Sequence, residues 1–130
     1  MGSIPFLIDK MKKTLVLGAS SNPNRYSYKA IQRLRAAGHE VHAVGSRQDQ
    51  VADISISDIF PNTIEDIHTI ALYLRPNLQD QYYRSIVESK AKRIIFNPGT
   101  ENSELTKLAN EHGIETINAC TLVMLSINDF

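Results

Sequence analysis

Residues 18–28 read Gly-Ala-Ser-Ser-Asn-Pro-Asn-Arg-Tyr-Ser-Tyr, which gathers hydroxyls, amides and one guanidinium into a single loop. Ser20, Ser21 and Asn22 can donate hydrogen bonds, and Arg25 offers a positively charged fork. That is chemistry suited to a phosphate. The glycine fingerprint of a dinucleotide loop, G-x-G-x-x-G, uses its second glycine to let the backbone touch a pyrophosphate. Here Gly18 meets the first position, while Ser20 and Pro23 stand at the other two. The loop fits a phosphate better than it fits NAD. A turn that only caps the following helix accounts for the same residues equally well.

A second group, Gly45-Ser46-Arg47, follows the apolar run Val41 to Val44. A domain that holds NAD places Asp or Glu at such a point to bind the ribose 2′-hydroxyl. No acid stands there, and Asp49 lies beyond it. Gly45 permits close approach, Ser46 can donate, and Arg47 can pair with a phosphate. Arginine here favours an adenosine ribose bearing an extra phosphate, as in coenzyme A (3′) or NADP (2′). A solvated arginine after a turn is the plainer alternative. A third group is Asn97-Pro98-Gly99-Thr100. Pro98 and Gly99 predict a tight turn that brings backbone amides to a crevice. Asn97 could hydrogen-bond an amide or a base, or simply start the turn.

Catalytic signatures are harder to find. His39, His42, His68 and His112 do not pair with a nucleophile at a recognised spacing, and H-E-x-x-H, G-x-S-x-G and Walker patterns do not occur. Asp58, Glu65 and Asp66 read as a solvated loop. Cys120 reads as a small buried apolar residue, because a reactive thiol needs an electropositive and partly exposed setting.

The elements that must position these loops follow from hydrophobic pattern. Thr14 to Gly18 and Val41 to Gly45 are apolar runs ending in glycine, as expected of strands buried inside a parallel sheet. Ser27 opens a helix with Tyr28, Ile31 and Leu34 inward, and Gly38 falls where a helix ends. Val51 to Ile59 predicts a short third strand and a helical turn, and Thr69 to Leu74 a fourth strand. Asn77 is the expected cap of the next helix, with Leu78, Tyr82, Ile86 and Val87 inward. Lys92 to Phe96 is a fifth strand, Ser103 opens another helix closed by Gly113, and Ile114 to Ile117 is a sixth strand. Thr121 to Ile127 predicts a last helix or turn. This alternation implies an α/β fold: a three-layer, Rossmann-like domain with a mostly parallel sheet of five or six strands. Ligands of such sheets bind outside the carboxyl ends of the strands, where helix N-termini converge and favour anions.

Composition sets outer bounds. The 130 residues predict one domain over 1–130, with 1–12 as a short leader around the run Ile4 to Ile8. Lys plus Arg equals Asp plus Glu at 14 each, which argues against general nucleic-acid binding. One cysteine points to a reducing cytoplasm, and no stretch approaches the ~20 apolar residues that span a bilayer. The expected oligomeric state is monomer or homodimer.

Taken together the loops resemble the CoA-binding domain family, which includes small single-domain bacterial proteins and the N-terminal domain of the succinyl-CoA synthetase alpha subunit. The resemblance runs from about Lys13 to Leu125. Its most specific piece is residues 18–28, similar to the family's Gly-Ala-Ser, Asn-Pro, Arg and Ser-Tyr in that order. Gly38 to Val44 resembles the Gly-x-x-Val lead into strand two, Ser55 to Ile59 the family's Ser-x-x-Asp-Ile, and Arg75-Pro76 the end of strand four. By this resemblance Gly18, Ala19, Ser20, Asn22 and Arg25 would hold CoA phosphates. Ser46 and Arg47 would meet the adenosine and its 3′-phosphate. Leu74 and Arg75 would border the adenine or pyrophosphate, and Asn97, Pro98 and Gly99 would line the pantetheine path. Two departures stand out: Gly45-Ser46 replaces the usual Asn-Pro, and Phe96-Asn97-Pro98-Gly99 lacks the Gln of a Gln-x-Gly motif. Cys120 resembles a cysteine many small members carry near the C-terminus.

The synthetase relatives use a phosphorylated histidine in a second domain, for which this chain leaves no room. The expected function is therefore non-catalytic binding of CoA or acyl-CoA, as a carrier, sensor or partner of a separate enzyme subunit. An NADP-dependent oxidoreductase-like protein and a ligand-free interaction domain are the alternatives.

Overall fold

The computed structural model describes residues 11–130; the run Ile4 to Ile8 lies outside them. Strand β1 (Thr14–Ala19) is apolar throughout because it lies inside a sheet, parallel to β2 (Val41–Gly45) on one side and β5 (Thr69–Leu72) on the other. With β3 (Asp49–Val51), β4 (Ile54–Ser57), β6 (Arg93–Phe96) and β7 (Glu115–Asn118), the order is β3-β4-β2-β1-β5-β6-β7. Every neighbouring pair is parallel except β3 and β4.

Four α-helices cover the two faces: α1 (Tyr26–Ala36), α2 (Tyr83–Ser89), α3 (Ser103–Glu111) and α4 (Thr121–Ser126). Alternate residues of each strand point to opposite faces. Leu15, Leu17, Ile70, Leu72, Ile94 and Phe96 meet Ile86 of α2 and Leu105 and Ala109 of α3. Val16, Ala43, Ala71 and Ile95 meet Ile31 and Leu34 of α1 and Met124 of α4. Each fully buried Leu or Ile here contributes about 1.5–3 kcal/mol. The buried positions of α1 are Ser27, Ala30, Ile31 and Leu34, a single helical stripe that turns Lys29 and Arg33 to solvent.

Two expectations change. The sheet has seven strands, not five or six, because Val51 to Ile59 holds no helical turn. Instead β3 and β4 form an antiparallel hairpin around Ala52-Asp53, with Ala52 at φ +53° and Val51 buried. Arg35 of α1 grips Asp53 through both carboxylate oxygens, at 3.2 and 2.6 Å, and so pins the hairpin. Second, Asn77 caps nothing. Arg75 is the extended residue before Pro76, and two 3₁₀ turns, Pro76–Leu78 and Asp80–Tyr82, precede α2. The tight turns allow Gln79 between them to point inward, fully buried. Helix α3 opens at Ser103, as expected, and Asn102 caps it, its Oδ1 accepting from the Glu104 and Leu105 N–H groups.

From β1 the chain runs to β2, out to β3 at the edge and back to β4 beside β2, then crosses to the other side of β1 as β5. The strand order therefore reverses between β1 and β5, and a crevice opens at their carboxyl ends.

Candidate functional site

Backbone geometry shapes that crevice before any side chain does. Gly18 sits at φ +97°, and a Cβ on it would lie 2.9 Å from the Leu74 nitrogen and the Tyr73 carbonyl carbon. The positive φ coincides with a register break between Leu17 and Ala19 in the β1–β2 pairing. A Cβ on Gly45 would lie 2.4 Å from the Ala19 carbonyl oxygen. The ends of β1, β2 and β5 thus approach one another more closely than side chains would allow.

The cleft at this junction measures about 590 Å³, within the range of small-molecule sites. It brings together Gly18, Ala19, Ser20, Arg25, Ser46, Leu74, Arg75 and Pro98 from the sequence-derived set. Arg47 lines an adjoining pocket of about 180 Å³, which shares Ala19, Ser20 and Ser46 with the cleft. The side chains of Arg25, Arg47 and Arg75 are all exposed, and none makes a hydrogen bond or ion pair among the described residues. Helix α1 begins at the cleft wall after an extended Arg25, with no side chain capping its first N–H groups. Those groups and the helix dipole favour an anion at that end.

Three expected residues stand apart from the cleft. Asn97 is buried, and its amide is already used: Nδ2 donates to the Leu72 carbonyl at 3.1 Å and Oδ1 accepts from Thr121 N–H at 2.8 Å. It ties β5 and α4 to the end of β6. Gly99 makes the turn, at φ +92°, but its N–H is taken by the Glu101 carboxylate at 2.8 Å. The Thr100 N–H is likewise taken, by the Asn97 carbonyl at 3.0 Å. The turn after β6 therefore presents Pro98 and the Thr100 side of its backbone rather than open amides. Asn22 is exposed and shapes its own loop, Oδ1 accepting from Asn24 N–H while its carbonyl accepts from Arg25 N–H.

Other residues line the cleft to which the sequence assigns no ligand contact. Tyr26, Ser27, Tyr73, Leu78 and Thr100 line it, Leu78 as wall rather than core. Gln79 holds the wall from behind: Nε2 donates to the carbonyls of Leu74 and Thr100, both at 2.8 Å, and Oε1 accepts from Asn102 Nδ2 at 2.9 Å. A Gln four residues after an Arg-Pro pair gives no sign of this. Burial pushes the Tyr73 phenol up to about 12, so it stays neutral. Its hydroxyl is closed off from solvent and has no well-formed hydrogen bond, the neighbouring Thr121 hydroxyl included. Cys120, at the start of α4, is half-buried.

Sheet order, switch-point crevice and basic rim define a Rossmann-like domain. The comparisons carry this further. A family profile described as "CoA binding domain" matches residues 12–126, and the chain belongs to that family. A solved structure titled "Crystal structure of uncharacterized protein" is 48% identical, with a TM-score of 0.89, covering 92% of this chain and 98% of its own. A hypothetical protein from Pyrococcus horikoshii OT3 is 24% identical, with a TM-score of 0.83 over 97% of this chain and 89% of its own. A putative oxidoreductase from Bacteroides fragilis NCTC 9343 is 16% identical, with a TM-score of 0.55, covering 82% of this chain and 34% of its own; that likeness is one of fold. No curated protein matches the chain. Among the described residues no helix is long and apolar enough to cross a membrane.

Proposed function

We propose that this chain binds coenzyme A or an acyl-CoA in the cleft at the carboxyl ends of β1 and β5, and that it acts without catalysing a reaction, as a carrier, sensor or partner of a separate enzyme. The observation that carries this reading is the convergence of three arginines unpaired among the described residues, two glycine-dependent backbone approaches and the uncapped start of α1 on the crevice and the pocket adjoining it. Free guanidinium groups and free N–H groups are what a polyphosphate needs. A single-domain carrier held by its family's loops needs no more.

In this reading the backbone at Gly18 to Ser20, the start of α1 and Arg25 hold the pyrophosphate. Ser46 and Arg47 meet the adenosine ribose and its phosphate. Leu74, Leu78, Pro98 and Thr100 border the pantetheine arm, with contacts mainly of shape because the nearby amides are already bonded. Arg75 lies between the two ends.

Thermal melting with CoA, acetyl-CoA, NADP and NAD tests the proposal. Ligand at 100 times its dissociation constant adds about 2.7 kcal/mol to stability. CoA and acetyl-CoA are expected to raise the midpoint while NAD leaves it unmoved. A rise with NADP alone would make this a dinucleotide-binding protein, and no rise with any of them would leave an interaction domain. Arg47→Ala is expected to weaken CoA more than dephospho-CoA, by about 1.5–3 kcal/mol for a charge-assisted bond. Equal losses would remove Arg47 from the ribose phosphate.

A further inference from the structure

The small pocket beside the cleft contains an acid as well as a base. It is lined by Ala19, Ser20, Ser21, Ser46, Arg47, Asp49 and Ile56. Asp49 opens β3, and both of its carboxylate oxygens are engaged. Oδ2 accepts from the Ser21 hydroxyl at 2.5 Å, and Oδ1 accepts from the Gln50 N–H at 2.8 Å. The two bonds fix the carboxylate across the pocket, from the β3 side to the phosphate loop.

Resting on the CoA reading, we propose that Asp49 is a specificity-determining residue that sets, against Arg47, how strongly this pocket accepts a phosphate on the adenosine ribose. The reasoning is one of competition. The Ser21 hydroxyl has one hydrogen, and Asp49 holds it. A ribose phosphate that uses Ser21 must displace the carboxylate and then sit beside a like charge. A ribose with a free hydroxyl meets no such conflict, because it can donate that hydroxyl to Asp49 as it stands. Arg47 acts in the opposite sense by attracting the phosphate. The Ser21 hydroxyl and the Gln50 N–H hold the Asp49 carboxyl below the usual carboxylate range, with Arg47 a smaller influence, so the group is ionised at neutral pH. The sequence suggested a pocket without an acid, because Asp49 lies beyond the strand tip; the β3–β4 hairpin folds it back.

Asp49→Asn is the discriminating variant. It keeps the shape and the acceptor for Gln50, removes the charge and turns one oxygen into a donor. Binding of CoA and of dephospho-CoA is measured by calorimetry on the wild type, Asp49→Asn and Arg47→Ala, at low and high salt. Asp49→Asn is expected to raise the ratio of CoA to dephospho-CoA affinity by about three- to fivefold at low salt, a modest factor because the pair is exposed. The gain is expected to shrink at about 1 M salt, where the screening length is roughly 3 Å. Arg47→Ala is expected to lower the same ratio. If Asp49→Asn weakens both ligands equally, or leaves the ratio unchanged, Asp49 is a strap between loops and the proposal is overturned while CoA binding stands. If the wild type binds neither ligand, the CoA reading has failed and this inference falls with it.

Discussion

At the amino ends of the parallel strands Lys12, Lys13 and Arg93 are matched to partners, whereas at the carboxyl ends Arg25, Arg47 and Arg75 are unmatched among the described residues. Lys12 Nζ and Arg93 Nη2 both donate to the Phe130 carbonyl, at 2.6 and 3.2 Å, and Arg93 Nε donates to Thr69 Oγ1 at 2.7 Å. The Phe130 ring lies 4.7 Å from the Arg93 guanidinium and 5.0 Å from the His39 ring. Lys13 Nζ donates to the Glu65 carbonyl at 2.6 Å and lies 3.7 Å from the Glu40 carboxylate. Across the sheet, Arg25, Arg47 and Arg75 have no such partners among the described residues. The two poles have similar residue types and opposite states of satisfaction. The matched pole holds the fold closed; the unmatched pole is available to something that is not part of the chain. Charge alone would not separate them. Partners do.

The largest effect expected from breaking this contrast is at the unmatched pole's backbone. Gly45→Val places a side chain 2.4 Å from the Ala19 oxygen, where only main-chain movement can make room. Destabilisation of at least about 3 kcal/mol is expected by chemical denaturation. A near-native midpoint would show that the strand ends need no such approach.

Next comes the matched pole itself. Arg93→Ala removes the donor to the Thr69 hydroxyl and one of the two donors to the Phe130 carbonyl, an expected loss of about 1–3 kcal/mol. CoA affinity is expected to stay within about twofold, since additivity holds for distant sites. A variant of normal stability and impaired binding would reverse the assignment of the two poles.

A smaller effect is expected from pH. Thr69 Oγ1 accepts from Arg93 Nε and lies 2.7 Å from His68 Nδ1. Burial first, then Arg93, Lys12, Lys92 and His39, depress the His68 pKa from 6.5 to about 4. The unfolded chain therefore binds more protons at this group between those values, so its contribution is present above about 6.5 and is lost as pH falls towards 4. The melting midpoint is expected to drop by a few degrees across that window. His68→Gln is expected to flatten the drop; an unchanged slope would place the acid sensitivity elsewhere.

The contrast between poles also marks what the sequence could and could not tell. The loop after β1, Gly45 and the alternation of strands and helices were legible because glycine punctuation and apolar runs state a backbone path directly. Direction was not legible. Asn97 and Ser20 are both polar residues in loops after strands, yet Asn97 turns inward to join Leu72 and Thr121, while Ser20 lines the cleft. Gln79 looks like a surface residue and is fully buried. The β3–β4 hairpin was missed because Ala52-Asp53 is not a glycine turn, and its support comes from Arg35, eighteen residues away along the chain. Such choices are made by tertiary partners, which a local pattern does not contain.

The most direct test of the central claim is calorimetric titration of CoA into the wild type and Arg25→Ala, with the melting midpoint of each recorded without ligand. Arg25 has no partner among the described residues, and the variant is expected to melt as the wild type does and to bind CoA at least about tenfold more weakly. Equal affinity in the two proteins would contradict the claim that the unmatched rim is where CoA is held.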